Sequence, residues 1–285
     1  MRNLTRLGSY ISNRIGRAIA DYNLIEDKDR ILVAVSGGKD SLTMLRLLNE
    51  RRRWAPIEYE LVAMHIESDY RCQGCVHTDV LEKIFLQMNI EYHFKDIKIL
   101  DADPSCQNDT GRVSSPRKHG GLNPSCHNAC RISSSRMRGG LNRKVSCFWC
   151  SWNRRKALFE SAEELHCSKI AFGHHKDDII ETLLLNMFYH GETSAMNPSQ
   201  ELFGGAVTII RPLCYVEEDK IRAFALESKF PHHLCACPNS VTSKRRMMKD
   251  LIKTVEKDCR YVKTNLLKSI ARVNRDYTRM VEEVK

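Results

Sequence analysis

The chain alternates short apolar runs with longer amphipathic stretches. Residues 30–35 form a β-branched apolar run that predicts a buried strand, and an amphipathic helix follows from Ser41 to about Arg52. The same alternation predicts strands over 59–66, 91–97, 169–172 and 207–210, and helices over 76–88, 154–166, 177–189, 218–228, 244–257 and the last twenty residues. Strands that alternate with helices indicate an α/β fold, with a parallel twisted sheet and helices on both faces.

A further amphipathic helix is predicted before the first strand. Its apolar positions share one helical face and are Leu4, Leu7, Ile11, Ile15 and Ile19. Such a helix fits better than a mitochondrial transit peptide, because the pattern runs into the fold without a linker. We divide the chain into an N-terminal helix (1–29), an α/β domain (30–215) and a C-terminal helical region (216–285).

One stretch inside the α/β domain, about 101–146, differs in composition from the rest. It is rich in Ser, Gly, Asn and Arg, and no acidic residue occurs between Thr110 and Phe159. Long segments without periodicity inside compact domains are usually functional or disordered. We expect a basic insertion that serves as an arm for nucleic acid. The alternative is a solvated insertion without a specific role.

The charge of the whole chain supports a polyanionic partner. Its 285 residues include 45 Lys plus Arg and 35 Asp plus Glu, a formal net charge of +10. No apolar run approaches the roughly 18 residues that a membrane-spanning helix needs, and no secretory signal is evident. We therefore expect a cytoplasmic protein with no membrane association.

A glycine-rich segment follows the first strand directly and precedes a helix. Its residues are Ser36, Gly37, Gly38, Lys39, Asp40 and Ser41. Glycines let a backbone turn tightly against a phosphate, and the first N–H groups of a helix attract anions. Lys39 adds positive charge, whereas Asp40 would repel a phosphate and is expected to hold Mg²⁺ or to orient the loop. The Walker A pattern is absent, so this is a phosphate loop of another kind.

Twelve cysteines are many for a chain without a secretory signal. Cys147 and Cys150 form a C-x-x-C pair at the start of a basic helix, and Cys235 and Cys237 follow a later helix. From spacing alone, the pair fits a redox couple, half of a zinc site, or two ligands of an iron–sulfur cluster.

The segment 36–41 resembles the signature of the PP-loop ATP pyrophosphatases. Members of that superfamily share an adenine-nucleotide α-hydrolase-like, Rossmann-like fold. They cleave ATP between the α and β phosphates and place AMP on a carbonyl oxygen of the substrate. The resemblance therefore implies ATP and Mg²⁺ as cofactors and an adenylated substrate.

The chain is similar, more specifically, to the branch that thiolates position 2 of cytidine in tRNA. The likeness covers about 15–100 and 145–260 and includes 18–23, the phosphate loop, 147–155, 169–179, 186–189 and 210–213. It implies a tRNA substrate, a [4Fe–4S] cluster with one iron open to sulfide, and a sulfur donor that is a cysteine desulfurase or free sulfide. A homodimer is left open.

The resemblance also implies site residues in this chain. Cys147 and Cys150 would be two cluster ligands, and Cys237, with Cys235 as the alternative, the third. Arg154 would contact ATP or substrate. Asp177 and Asp178 follow a strand at the edge where open α/β sheets bind ligands, and would hold Mg²⁺; otherwise they only complement a helix dipole.

Five further cysteines depart from the family pattern, and no spacing assigns them to a metal. They are Cys72, Cys75, Cys106, Cys126 and Cys130. The expected function is ATP-dependent thiolation of a tRNA cytidine. The alternatives are a PP-loop ligase with another nucleophile, such as a lysidine or uridine-thiolation type, a nucleotide-binding regulator without turnover, and a redox protein. The expected tRNA surface combines the insertion with basic residues of 244–260.

Overall fold

The computed structural model describes residues 4–69, 78–99, 147–231 and 244–274. Its helices are α1 (Arg6–Tyr22), α2 (Lys39–Arg51), α3 (Thr78–Met88), α4 (Cys147–Glu164), α5 (Lys176–His190), α6 (Glu218–Glu227), α7 (Lys244–Glu256) and α8 (Val262–Ser269). Its strands are β1 (Asp29–Ala34), β2 (Tyr59–Ser68), β3 (Glu91–Ile97), β4 (Lys169–Ala171), β5 (Ser199–Leu202) and β6 (Val207–Ile210).

The six strands form one sheet in the order β3-β2-β1-β4-β6-β5. All neighbouring pairs are parallel except β5 with β6, which is antiparallel at the edge. The chain winds outward in one direction through β1, β2 and β3 and in the other through β4 and β6. The strand order therefore reverses between β1 and β4, and the carboxyl ends of these two strands form a crevice that suits a ligand.

Both faces of the sheet are covered by helices. In β1, Ile31 and Val33 pack into the larger core with α1, α2, α3 and α6, whereas Leu32 packs into a second core beneath α4. This alternation follows from the two-residue period of a strand. A third, smaller core joins α5 to α7 through Ile180, Leu184, Met248 and Ile252, so α7 is held against the body of the fold.

The expected fold class is confirmed, with several local differences. The helix predicted over the last twenty residues is wrong in its bounds, since α8 begins at Val262 and ends at Ser269, and residues 270–274 are not helical. Helix α2 begins at Lys39, two residues before the predicted start, since Gly38 is already its N-cap. Helix α4 begins at Cys147 rather than at Arg154, which places the whole C-x-x-C pair within its first turn. The antiparallel edge strand β5 was not predicted, because its four residues show no apolar run.

Several sequence-based expectations lie outside the described residues. These are the insertion 101–146, the end of the chain beyond 274, and the cysteines Cys72, Cys75, Cys106, Cys126, Cys130, Cys235 and Cys237. The division into an N-terminal helix, an α/β domain and a C-terminal region stays a prediction. In the part of the chain that is described, no helix is long and apolar enough to cross a membrane.

Candidate active site at the carboxyl edge of the sheet

The phosphate loop lies at the crevice between β1 and β4. Gly37 has a φ of 82°, a conformation that glycine adopts without strain. The Ser36 hydroxyl accepts from the Gly38 N–H (3.3 Å), and the Ser41 hydroxyl donates to the Gly38 carbonyl (3.0 Å). These contacts shape the loop around the amino end of α2, where unpaired N–H groups attract an anion.

His65 of β2 and Gly173, which follows β4, contact the backbone at the phosphate loop. The His65 Nδ1–H donates to the Val35 carbonyl at 2.7 Å, and burial lowers the pKa of His65, so this ring is neutral. A Cβ added at Gly173 would lie 3.0 Å from the Ser41 nitrogen and 3.2 Å from the Asp40 carbonyl carbon. The segment after β4 therefore touches the backbone of the phosphate loop, and any side chain at Gly173 would crowd it.

The Lys39 and Asp40 side chains pair with each other and with α6. Lys39 Nζ lies 3.0 Å from Asp40 Oδ1 and 3.3 Å from Glu218 Oε1. Burial opposes the charge of Lys39, but these two carboxylates outweigh burial and raise its pKa. Lys39 is thus a cation at the loop, held by two acids until a stronger anion competes for it.

Glu218 is the centre of a charge cluster that sequence reasoning missed. It pairs with Lys39, with Arg222 at 3.3 Å, and with Lys249 of α7. Burial alone would raise the pKa of Glu218, but the Lys249 hydrogen bond and the charges of Lys39 and His175 lower it to about 2. One carboxylate at the start of α6 therefore connects the phosphate loop to α7.

We expect Glu218→Gln to destabilise the fold by on the order of 2–3 kcal/mol at pH 7, since each pKa unit is worth about 1.4 kcal/mol. A depressed carboxyl pKa stabilises the protein above the unfolded-state value. The difference between wild type and variant should therefore shrink as the pH falls from about 4.5 toward 2. Denaturant unfolding at pH 7 and pH 3 measures this. Asp219→Asn, in the same helical turn but exposed, is the control; an equal loss in both variants would contradict the assignment.

The residues after β4 connect the loop to α5. His175 is the N-cap of α5 and forms a capping box with Asp178, whose carboxylate accepts from the His175 N–H at 3.0 Å. His175 Nε2 lies 3.8 Å from Asp40 Oδ1. Asp40, His175 and Asp178 all line one cavity of about 480 Å³ at the loop, here called the phosphate-loop cavity.

Asp177 faces a different direction from Asp178. Its carboxylate accepts from the Glu218 N–H at 2.8 Å and pairs with Lys263 of α8 at 3.0 Å. Asp177 is buried and does not line the phosphate-loop cavity, whereas Asp178 does. The geometry thus brings together Asp40 and Asp178 of the three predicted acids, and it engages Asp177 in holding α6 and α8. Their catalytic roles stay predictions.

Helix α7 contributes four cations to the lining of the same cavity, Arg245, Arg246, Lys249 and Lys253. Arg245 donates to Asp178 (3.3 Å) and Thr182 (3.1 Å), and Lys249 donates to Glu218. From the sequence, the basic residues of α7 were all expected to contact tRNA. Arg245 and Lys249 are four residues apart and flank the buried Met248, a helical spacing that could have placed them on the inward face.

Glu181 is a buried acid in the wall of this cavity. Burial and the neighbouring charge of Asp178 raise the pKa of Glu181 to about 7, against the opposing charges of Arg245 and Lys249. Its nearest cation is Arg245, with the Nε atom 4.0 Å from the carboxylate. The wall therefore carries a carboxyl group that changes charge near neutral pH.

The C-x-x-C pair opens α4 at the same edge of the sheet. Cys150 is half-buried and not in a disulfide; the side chains of Cys147 and Cys237 lie outside the described residues. One turn further along α4, the Arg154 guanidinium donates to Ser68 Oγ at 3.1 Å, at the carboxyl end of β2. Among the described residues, no group of three His, Cys, Asp or Glu side chains could hold a metal ion.

The chain is similar to known proteins in both sequence and fold. The PP-loop domain family matches residues 8–111, which contain the phosphate loop. A tRNA-cytidine(32) 2-sulfurtransferase of Geotalea uraniireducens is 39% identical over 274 residues, covering 95% of this chain and 94% of the relative. The protein of that name from Geobacter sulfurreducens is 38% identical over 269 residues, covering 94% and 91%. The chain belongs to the tRNA-cytidine(32) 2-sulfurtransferase family.

A solved structure has the same fold as this member of the 2-sulfurtransferase family. The U34-tRNA thiolase NcsA from Methanococcus maripaludis, solved with its [4Fe–4S] cluster, aligns with a TM-score of 0.63 at 19% identity. The alignment covers 96% of this chain and 80% of that one. The sequence-based resemblance and the fold class are thus confirmed for the 2-sulfurtransferase chain, while the individual site residues stay predictions.

Proposed function

We propose that this protein is an ATP-dependent tRNA sulfurtransferase that replaces the C2 oxygen of a tRNA cytidine with sulfur. One observation carries the proposal. The phosphate loop and the C-x-x-C pair of α4 lie at the carboxyl edge of the same sheet, and the closely similar relatives are named for this reaction. A nucleotide and a sulfur species therefore meet at one edge.

The proposed reaction balances in two displacements. The C2 oxygen of cytidine attacks the α-phosphorus of ATP, the α–β phosphoanhydride bond breaks, and pyrophosphate leaves with the bond electrons. Sulfide then attacks C2, and AMP leaves with the former C2 oxygen. Sulfur enters and remains at the sulfide level, so no external oxidant or reductant is required.

The chain's own groups stabilise the negative charge of the first displacement. The N–H groups at the amino end of α2, with the hydroxyls of Ser36 and Ser41, receive the phosphates. Lys39 transfers from Glu218 to the polyphosphate. Asp40 and Asp178, on one wall of the phosphate-loop cavity, are the oxygen ligands proposed for Mg²⁺. Arg154, on the α4 side, orients the substrate or the α-phosphate.

Cys147 and Cys150 suit an iron–sulfur cluster by residue type and spacing. They are three residues apart in the first turn of α4, a spacing typical of two ligands of one centre. A [4Fe–4S] cluster on Cys147, Cys150 and Cys237 would supply an iron without a protein ligand, at which sulfide is presented. Reduced thiols are required for this, and Cys150 is not in a disulfide.

The substrate surface is proposed to be the exposed basic side of α7 and the helix that follows. Arg246 also lines the phosphate-loop cavity, but its side chain is exposed, as is Arg260 beyond the end of α7. Arg245 and Lys249 are instead paired with Asp178 and Glu218. Contacts of such residues with phosphates position the RNA and weaken as salt rises.

The test is direct assay of the anaerobically purified full-length chain. Unmodified tRNA transcript, ATP with Mg²⁺ and sodium sulfide are incubated, and the digested RNA is analysed by nucleoside mass spectrometry. We expect 2-thiocytidine at a single tRNA position, with AMP and pyrophosphate formed in equal amounts. An ATP analogue with a methylene bridge between the α and β phosphates should give no product. Lysidine or thiouridine as the product, or none with any tRNA, would overturn the proposal.

A further inference from the structure

A second cavity begins on the other side of the residues that follow β4. It has a volume of about 1180 Å³ and runs along the sheet between α4 and the β5–β6 edge; we call it the α4–β6 groove. Gly173 touches the phosphate loop, His174 lines the groove, and His175 lines the phosphate-loop cavity. Successive residues of an extended segment point to opposite sides, so three neighbouring residues connect the two cavities.

The end of the groove near the phosphate loop carries two arginines without acidic partners. Arg211 is 7% exposed; it donates to His174 Nδ1 at 3.3 Å and to the Asn197 carbonyl. Arg155 of α4 lies close enough for its charge to lower the pKa of both His174 and Arg211. Neither arginine has a carboxylate within ion-pair distance among the described residues. A buried charge without a counter-charge is unfavourable. The buried Arg211, with the exposed Arg155 beside it, therefore makes this end of the groove suited to an anion.

His174 presents a defined hydrogen-bond donor to the groove. Burial, together with the charges of Arg211 and Arg155, lowers the pKa of His174 to about 4 despite Asp178, so the ring is neutral near pH 7. Because Nδ1 accepts from Arg211, the proton of the neutral ring is on Nε2. Phe172 stacks on the ring at 5.6 Å and fixes its plane. The Nε2–H has no acceptor among the described residues.

Aromatic side chains of α4 provide the apolar wall. Trp152 is 45% exposed and lines the groove, and one face of its ring stacks on Trp149 with a centroid distance of 5.6 Å and an interplanar angle of 10°. Phe159 lines the groove one to two turns further along α4. Exposed aromatic faces beside arginines are the usual means of holding an unpaired nucleotide, because the base stacks and the phosphate pairs with the cation.

We propose that this end of the α4–β6 groove binds the target cytidine, extruded from the tRNA, with its base on Trp152, its phosphate at Arg155 and Arg211, and its N3 side at the His174 Nε2–H. The inference rests on the proposed function and names its substrate subsite. A base must leave its stack for chemistry at C2. A donor at this position matches cytosine, whose N3 is an acceptor, and rejects uracil, whose N3 carries a proton.

The test measures the binding of RNA to the full-length protein by fluorescence anisotropy. Three tRNA stem-loops are compared, with cytidine, uridine or an abasic site at the position that the wild type thiolates. We expect the wild type to bind the cytidine RNA about tenfold more tightly than the abasic RNA, from base stacking. Trp152→Ala should remove that preference. Arg155→Ala should lower the affinity for all three RNAs by the same factor. The wild type should also bind the cytidine RNA more tightly than the uridine RNA, and His174→Ala should remove that preference.

Phe188→Ala is the control, because Phe188 is an exposed aromatic residue on α5 outside the groove. This variant should show the same RNA preferences as the wild type. Thermal unfolding of each variant separates folding defects from binding defects. If Trp152→Ala keeps the tenfold preference in a folded protein, the nucleotide subsite is wrong, although thiolation by the wild type still supports the enzyme. If the wild type thiolates no RNA, the proposed function itself fails.

Discussion

Cys150→Ser is expected to abolish formation of 2-thiocytidine while RNA-dependent release of pyrophosphate continues. Loss of a residue that only supports a metal ligand costs up to about 100-fold in activity, so loss of a ligand should cost at least that. The phosphate loop is shaped by its own Ser36–Gly38 hydrogen bond and held by His65 and by the segment at Gly173. Cys150 contributes to none of these contacts. Adenylation, the first displacement, should therefore continue in the variant, whereas attack of sulfide on C2, the second displacement, should stop.

Two readouts are needed for this variant. Iron and acid-labile sulfide, measured after anaerobic purification, should fall together with thiolation in Cys150→Ser and equally in Cys147→Ser. Pyrophosphate release with tRNA should stay within a few-fold of wild type. A cysteine that is required only for folding would reduce both activities in parallel.

Cys259→Ser is the matched control for that experiment. Cys259 is partly exposed and follows α7, and Cys259 is not in a disulfide. Its replacement should leave iron content and thiolation unchanged. If Cys150→Ser retains full thiolation, sulfur delivery does not use this pair, and a PP-loop ligase with a different nucleophile becomes the better description.

The order of the elements could be predicted from the sequence because each signal was local. The run 30–35 and the glycines after it predicted a strand, a turn and a helix in one continuous stretch, and β1 and α2 follow that prediction apart from the earlier start of α2. The edge strand β5 escaped, since it is formed by pairing with β6 and carries only two partly buried positions. Such a strand depends on a neighbour and not on its own hydrophobicity.

The motifs of the candidate site could be recognised in the sequence, whereas the contacts between their side chains could not. The phosphate loop and the acid pair after β4 are motifs, and motifs are visible along the chain. Glu218 and Lys249 lie 31 residues apart and meet only because α7 packs on α5. The opposite directions of Asp177 and Asp178 likewise follow from the capping geometry of α5. Pairings over such separations need the tertiary fold, which local patterns do not encode.

Gly173→Ala is expected to impair use of ATP strongly with little loss of stability. The added methyl group would lie 3.0 Å from the Ser41 nitrogen and 3.2 Å from the Asp40 carbonyl carbon. Both atoms belong to the backbone at the amino end of α2, so no side chain can rotate away. Either the loop or the segment after β4 must shift by a few tenths of an ångström. A displacement of catalytic groups by about 1 Å can cost about 100-fold, so 100-fold is the upper end of the expected loss.

The measurement for Gly173→Ala is RNA-dependent pyrophosphate release as a function of ATP concentration. We expect kcat/KM for ATP to fall by about 10- to 100-fold, and Gly173→Val to be worse, because its branches add volume against the same backbone. The affinity for tRNA should change little, since the contact lies on the nucleotide side. Binding of the RNA alone, measured without ATP, separates these effects.

Gly191→Ala serves as the control, because it should lower stability and leave the use of ATP unchanged. Gly191 ends α5 with a φ of 66°, and a Cβ there would meet nothing within 4 Å. Alanine in this left-handed conformation costs about 1 kcal/mol of stability, yet Gly191 is distant in sequence from the loop and has no contact with it. We expect a lower melting temperature with an unchanged KM for ATP. If Gly173→Ala and Gly191→Ala lose stability alike and use ATP equally well, the close approach at Gly173 does not position the phosphate loop.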